Sequence, residues 1–218
     1  MENGKFIVLE GNDLAGKTTI SQLVIKWLSS DHNIEATLTR HPGSTPVGKQ
    51  LREILKHSPE PINSNAQALL FAADNSLFMD QILGPSIKQG KWIIGDRNNF
   101  ISSLAYQISS GCSLEELDLI HDATTQTAKI DLLLIFKCDW LKAQSRKTIR
   151  NPSIPDRYED AGRAYFENLI KCYDSIANDN IRLSKFMNNT SNVYYIDANK
   201  EIDEVFNNVK SIISKVLL

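Results

Sequence analysis

From Gly11 to Thr18 the chain reads G-N-D-L-A-G-K-T, two glycines five positions apart followed by a lysine and a hydroxyl side chain. Glycines at those positions let successive backbone N–H groups turn inward on an anion. A helix beginning at the second one points its positive end at the same place. In this spacing Lys17 reaches the β- and γ-phosphates of a triphosphate, and the Thr18 hydroxyl sits on a magnesium ion. The backbone of Asn12, Asp13, Leu14 and Ala15, closed by Gly16 and Thr19, completes a cradle suited to ATP. GTPases share the cradle, but they also carry a guanine-reading Asn-Lys-x-Asp. The nearest tract here, N-K-E-I-D, places Asp203 one position too far along.

A second group of charges answers the first. The apolar run K-W-I-I-G ends in Asp96 and Arg97. A carboxylate at the end of a strand beside the cradle can join Thr18 in holding magnesium, or it can simply pair with a neighbouring arginine. Arg40 opens the loop T-R-H-P-G-S-T-P-V-G, and arginine suits two-pronged contact with phosphate. The stretch from Arg146 to Arg157 mixes two prolines with four basic side chains and reads as an exposed, mobile loop. Cradle, carboxylate, arginines and basic loop together describe phosphoryl transfer between two phosphate-bearing molecules. An acceptor phosphate is already an oxyanion at neutral pH, so the work left is alignment and charge neutralisation.

Five short apolar runs must hold these groups, at 5–10, 34–39, 91–95, 131–136 and 192–197. Three are almost continuously apolar, as parallel strands covered on both faces are. Helical spacing fills the intervals: Ile20, Leu23, Val24, Trp27 and Leu28 in one, and Ile202, Val205, Phe206, Val209, Ile212, Ile213 and Val216 in the last. A further helix near 66–77 shows a stripe through Ala66, Leu69, Leu70, Ala73 and Leu77, which predicts its core face and sets Phe71 off it. Strand–helix alternation from end to end predicts a doubly wound α/β sandwich with a five-stranded parallel sheet. No repeat and no linker divides residues 1–218, so one domain is expected, with a lid at about 146–157.

Composition narrows the partners. A net charge of −2 argues against a protein built to grip nucleic acid, while leaving small anionic nucleotides open. The longest aliphatic run is far too short to span a bilayer, and the first ten residues lack an export signal. Cys112, Cys138 and Cys172 form no close-spaced pair and read as reduced packing thiols of a cytoplasmic protein.

The tracts G-N-D-L-A-G-K-T-T, T-R-H-P-G-S-T-P-V-G, L-L-F-A-A-D, D-R-N-N-F-I-S-S-L-A-Y-Q and D-R-Y-E-D fall in the order and spacing of the thymidylate kinases, which the chain resembles over nearly its whole length. The resemblance implies a P-loop sandwich with a mobile lid, ATP and Mg²⁺ as donor and cofactor, dTMP as acceptor, and a homodimer. It also implies roles for individual residues. Asp13 would lie near the acceptor sugar and the moving phosphate. Arg40 and Arg97 would hold the acceptor phosphate, with Arg52 lining the same pocket. Phe71 would stack on the pyrimidine, with Ser103 and Gln107 at its polar edge and Tyr106 against the deoxyribose. Arg146, Arg150 and Arg157 would close over the phosphates.

Four positions depart from the family's pattern. Asn75 stands for an arginine that reaches the base, Asn98 for a tyrosine, His41 for a glutamate, and Leu14 for glycine or arginine in the loop. An amide both donates and accepts, so Asn75 could pair with thymine or suit another base. Two other readings share the cradle: a deoxynucleoside kinase, which needs a carboxylate base, and a nucleotide binder without transferase activity.

Overall fold

A computed structural model describes residues 4–124, 128–150 and 158–218, the side chains of Asn99 and Arg150 excepted. The five apolar runs become β1 (Phe6–Gly11), β2 (Ala36–Arg40), β3 (Trp92–Asp96), β4 (Leu132–Lys137) and β5 (Val193–Asp197). All pair in parallel, in the order β2-β3-β1-β4-β5. Their near-continuous apolarity has the expected cause, since successive side chains alternate between two buried faces. Phe6, Val8, Ile93, Leu133 and Ile135 enter one apolar cluster, and Ile7, Leu9, Ile94, Leu132 and Leu134 enter the other.

Helices cover both faces and complete three layers. α1 (Lys17–His32) and α10 (Ile202–Leu217) lie on one side, burying Ile20, Val24 and Leu28 with Val205, Val209 and Ile213. The other face packs against α3 (Ser64–Phe78), α5 (Asn99–Ser109), α6 (Leu114–Asp122), α8 (Arg163–Ala177) and α9 (Asn180–Phe186). The remaining helices are α2 (Pro46–His57), α4 (Gly84–Lys88) and α7 (Trp140–Arg150), and a π-helical turn, Met79–Leu83, joins α3 to α4. Thr45 with Pro46 starts α2, Asn98 caps α5 through Phe100 and Ile101 N–H, and Ser113 with Glu116 forms a reciprocal cap on α6.

The order of the strands decides where chemistry can occur. β1 leads outward past β3 to β2, whereas β3 leads back across β1 to β4. The chain therefore diverges over the carboxyl ends of β1 and β3, which is where open α/β sheets bind ligands. Register brings Asp96 level with Leu9 on one side and with Arg40 on the other.

Two expectations are corrected. The stripe Ala66, Leu69, Leu70, Ala73 and Leu77 does not face the core: Leu69 is 57% exposed and Ala73 is exposed. The buried face of α3 carries Gln67, Ala68, Phe71, Ala72, Asp74, Asn75 and Phe78. Helical period was legible there, but three polar side chains on the inner face disguised which side is in. The segment read as a loop from Arg146 is also helical as far as Arg150, continuing α7. Residues 151–157 lie outside the described residues.

Candidate active site

Gly11 ends β1 at φ 124°, and a Cβ there would stand 1.9 Å from the Phe136 carbonyl oxygen. Only glycine lets β1 turn so close to β4. Gly16 at φ 85° opens α1 with no side chain capping the helix, so the first amides of α1 stay free for an anion. Leu14 adopts a left-handed φ of 64°, a conformation that glycine takes without strain. Asn12 fastens the loop to the end of β4: its Nδ2 donates to the Cys138 carbonyl at 3.3 Å, and Cys138 N–H donates to Asn12 Oδ1 at 3.3 Å. Its backbone is thereby left to face the cradle.

Lys17 folds over this loop, donating from Nζ to the carbonyls of Asn12 at 2.7 Å and Gly11 at 3.0 Å. Burial, reinforced by the nearby Arg97 charge, pushes its ammonium down to about 8. Thr18 Oγ1 donates to Asp96 Oδ2, so the first turn of α1 meets the end of β3. Arg40 Nε lies 4.0 Å from the same carboxylate and is largely exposed. No cluster of three or more metal-ligating side chains occurs among the described residues. One hydroxyl and one carboxylate beside a phosphate cradle fit a magnesium ion that keeps waters and phosphate oxygens as its other ligands.

Arg97 takes a left-handed φ of 75° and turns its guanidinium back under the cradle. It donates to Gly11 O at 2.9 Å, Tyr173 OH at 3.1 Å and Glu10 Oε2 at 3.4 Å, and it pairs with Asp13. Asp13 also accepts from Tyr106 OH at 2.7 Å. Burial works against the Asp13 carboxylate, but Arg97, Lys17, Lys56 and the Tyr106 hydroxyl outweigh it and hold the group well below the usual carboxylate range.

Glu10 is the residue that sequence reasoning missed. Fully buried, it accepts from Ser102 Oγ at 2.7 Å, Tyr173 OH at 2.8 Å and Asn98 N–H at 2.8 Å, besides Arg97. A glutamate ending an otherwise apolar strand was the available signal, because glutamate is almost never fully buried unless paired.

One cavity of about 570 Å³ joins these groups. Asp13 to Thr19, Asp96 and Arg97 stand at its centre. Arg40, His41, Arg52, Phe71, Tyr106 and Tyr158 line one end, and Lys142, Arg146, Lys200, Glu201 and Val205 the other. Arg52 donates to Pro42 O at 3.0 Å, and Tyr158 packs its ring on Tyr106 while donating to Gln67 Oε1 at 2.9 Å. Arg146 bridges the Leu14 carbonyl at 3.0 Å and the Ala198 carbonyl at 2.8 Å, between the cradle and the turn after β5. That turn, Ala198 to Glu201, entered the sequence reading only through the rejected tract N-K-E-I-D and was given no place at the site. Asn75, Ser103 and Gln107 are fully buried and do not line the cavity. The Arg150 side chain and Arg157 lie outside the described residues.

The sequence matches the thymidylate kinase family over residues 9–209. The chain belongs to the thymidylate kinase family. It is 31% identical to the thymidylate kinase of Shewanella amazonensis over 216 residues, covering 98% of each chain. Against the thymidylate kinase of Blochmanniella pennsylvanica it is 32% identical, covering 94% of this chain and 92% of that one. Against that of Thermosipho africanus the identity is 30%, with 97% and 98% covered. The chain is accordingly a phosphotransferase that acts on nucleotides.

Within a thymidylate kinase frame two of the departures acquire local explanations. Asn98, where tyrosine is usual, supplies the cap that starts α5, the helix carrying Ser103, Tyr106 and Gln107. His41 lies with Nδ1 3.7 Å from Asp74 Oδ2, edge-on to Phe78, and so belongs to the packing beneath the Arg40 loop.

Proposed function

We propose that this chain transfers the γ-phosphoryl group of ATP to dTMP, giving dTDP and ADP. The observation that carries the proposal is one cavity in which the Asp13–Thr18 part of the cradle, with Lys17, stands beside Arg40, Arg97, Phe71 and Tyr106. An oxygen of the acceptor phosphate attacks the γ-phosphorus while the bond to the β–γ bridging oxygen breaks, and no proton need move. Lys17 and the α1 amides hold the donor's phosphates. Arg40 and Arg97 hold the acceptor's phosphate in line with them. Phe71 stacks on the pyrimidine, and Tyr106 closes against the deoxyribose. Arg52 adds positive charge around the acceptor, and Arg146 stands near the donor. Arg146 and the turn after β5 flank the donor's adenine. Magnesium bound by Thr18 and Asp96 would neutralise charge on the β- and γ-oxygens.

The carboxylates disfavour a nucleoside acceptor. A sugar hydroxyl would need a base, yet Arg97 and Lys17 hold the Asp13 carboxyl well below the usual range and so make it a poor proton acceptor, and the near neighbours of Glu10 already donate to it. Measuring ADP release with ATP plus dTMP, and again with thymidine, separates the two. Turnover with dTMP alone is expected, and turnover with thymidine alone would sink the proposal.

The same reading carries a cytoplasmic homodimer. Val47 and Ile54 on α2, Leu69 on α3 and Leu119 on α6 are exposed apolar side chains on helices of one side of the sheet. A second copy covering them supports the outward stripe of α3. The three cysteines are all free and buried, which suits a reducing compartment.

A further inference from the structure

The two ends of the Arg97 guanidinium face different surroundings. Nη1 donates to Gly11 O at 2.9 Å, Tyr173 OH at 3.1 Å and Glu10 Oε2 at 3.4 Å, whereas Nη2 pairs with Asp13. Arg97 and Asp13 line the cavity, their side chains 13% and 18% exposed. Tyr173 and Glu10 are fully buried and do not line it. Glu10 divides its oxygens in the same way. Oε1 accepts from Asn98 N–H and Ser102 Oγ, which fixes the carboxylate to the start of α5. Oε2 accepts from Tyr173 OH at 2.8 Å and from Arg97. The α8 hydroxyl thus donates to the glutamate and accepts from the arginine, using both of its functions. Burial, then the Glu10 charge, pushes the Tyr173 hydroxyl well above its ordinary 10, so it stays neutral.

We propose that Tyr173, together with Glu10, is a positioning residue for the acceptor phosphate: the pair pins Nη1 of Arg97 so that Nη2 is presented to that phosphate. This rests on the acceptor reading given under Proposed function. Arg97 needs an anchor, because its left-handed φ of 75° persists only where the surroundings over-determine it. A long side chain left loose would also spend binding energy on being ordered when the phosphate arrives. With Nη1 pinned and the guanidinium 5.3 Å from the centre of the Tyr106 ring, the planar fork is set beforehand. The incoming phosphate then competes with Asp13 for Nη2 and leaves the anchor intact. Charge explains why a hydroxyl stands at the third inner contact. Glu10 and Asp13 already set two carboxylates against one guanidinium, and another would repel a phosphate. A neutral hydroxyl orients the arginine without adding to that repulsion.

Tyr173→Phe keeps the ring and removes only the hydroxyl. In steady-state ADP release, KM for dTMP should rise about tenfold while KM for ATP stays within about twofold. Thymidine carries the same base and sugar without the phosphate, so its inhibition constant against dTMP should also stay within about twofold. A merely structural role would move all three alike. An unchanged KM for dTMP, or an equal rise in either of the other two constants, overturns the inference and leaves the proposed function standing. No transfer to dTMP by the unaltered chain overturns both. Where the variant does not fold, proton–nitrogen NMR of the arginine side chains in the unaltered chain decides. Adding dTMP should shift the Nη2 signals of Arg97 and leave those of Nη1 in place, and a larger shift at Nη1 overturns the inference.

Discussion

Thr18 Oγ1 and Asp96 Oδ2 lie 2.5 Å apart, tying the first turn of α1 to the carboxyl end of β3 on the floor of the cavity. The two residues are 78 positions apart in the chain. If the pair holds magnesium, Asp96→Asn should raise the Mg²⁺ concentration for half-maximal rate at least about tenfold and lower kcat by about a hundredfold. Titrating activity with Mg²⁺ in both proteins checks this. An unshifted midpoint would reduce Asp96 to a strand-end partner of Arg40.

Lys17 gives a pH signature. Its ammonium, at about 8 in the ligand-free chain, must be protonated to grip phosphate. ATP affinity should therefore hold below that value and fall by about tenfold per unit well above it. Lys17→Arg, whose charge does not titrate in this range, should remove the inflection. Calorimetric titration with ATP from pH 6.5 to 9.5 reads both. Stability runs the other way, because the folded pKa lies below the ordinary 10.5. Between about 8 and that value the unfolded chain binds more protons, so the ligand-free fold should gain stability as pH rises.

His121 provides an acid-side counterpart. It is enclosed by the rings of Phe100 and Phe186, and burial pushes its imidazole down from 6.5 to about 4, with Asp118 and Asp122 opposed by Arg182 and Lys185. From 6.5 downward the unfolded chain takes up a proton that the folded chain refuses. Stability should fall by about 3 kcal/mol across that window. His121→Gln should flatten this part of the profile in urea denaturation at pH 7 and pH 4.5.

Gly48 is fitted to its neighbour. A Cβ there would stand 2.0 Å from Asp74 Oδ1, and Asp74 accepts from Gly43 N–H at 3.2 Å beneath the Arg40 loop. Gly48→Ala should cost about 1–3 kcal/mol and raise KM for the acceptor several-fold, with KM for ATP little changed. Thermal unfolding and two-substrate kinetics measure the effects separately. An equal rise in both KM values would mean that the disturbance spreads to the cradle.

Much of the site was legible because its signals are local. The cradle depends on glycines, a lysine and a threonine within eight consecutive residues, bounded by an apolar strand and an amphipathic helix. The strands announced themselves because parallel strands buried on both faces cannot carry polar side chains without partners. α3 shows where that logic fails. Its inner face includes Gln67, Asp74 and Asn75, while Leu69 points outward. Hydrophobic period gives a helix its two sides, but an internal cavity and an uncovered apolar face reverse their usual meaning.

By itself, the sequence determined that this chain forms a parallel α/β sheet, with a glycine-rich loop after its first strand and Arg40 and Arg97 at the ends of neighbouring strands. It could not say that Arg97 bends back through Glu10, Tyr173 and Asp13, or that Arg146 joins Leu14 to Ala198. Those contacts join residues 52 to 132 positions apart. The physical reason is that a loop's conformation is written in neighbouring residues, whereas the partners of a buried charge are chosen by strand order and register, which bring distant segments to one edge of the sheet.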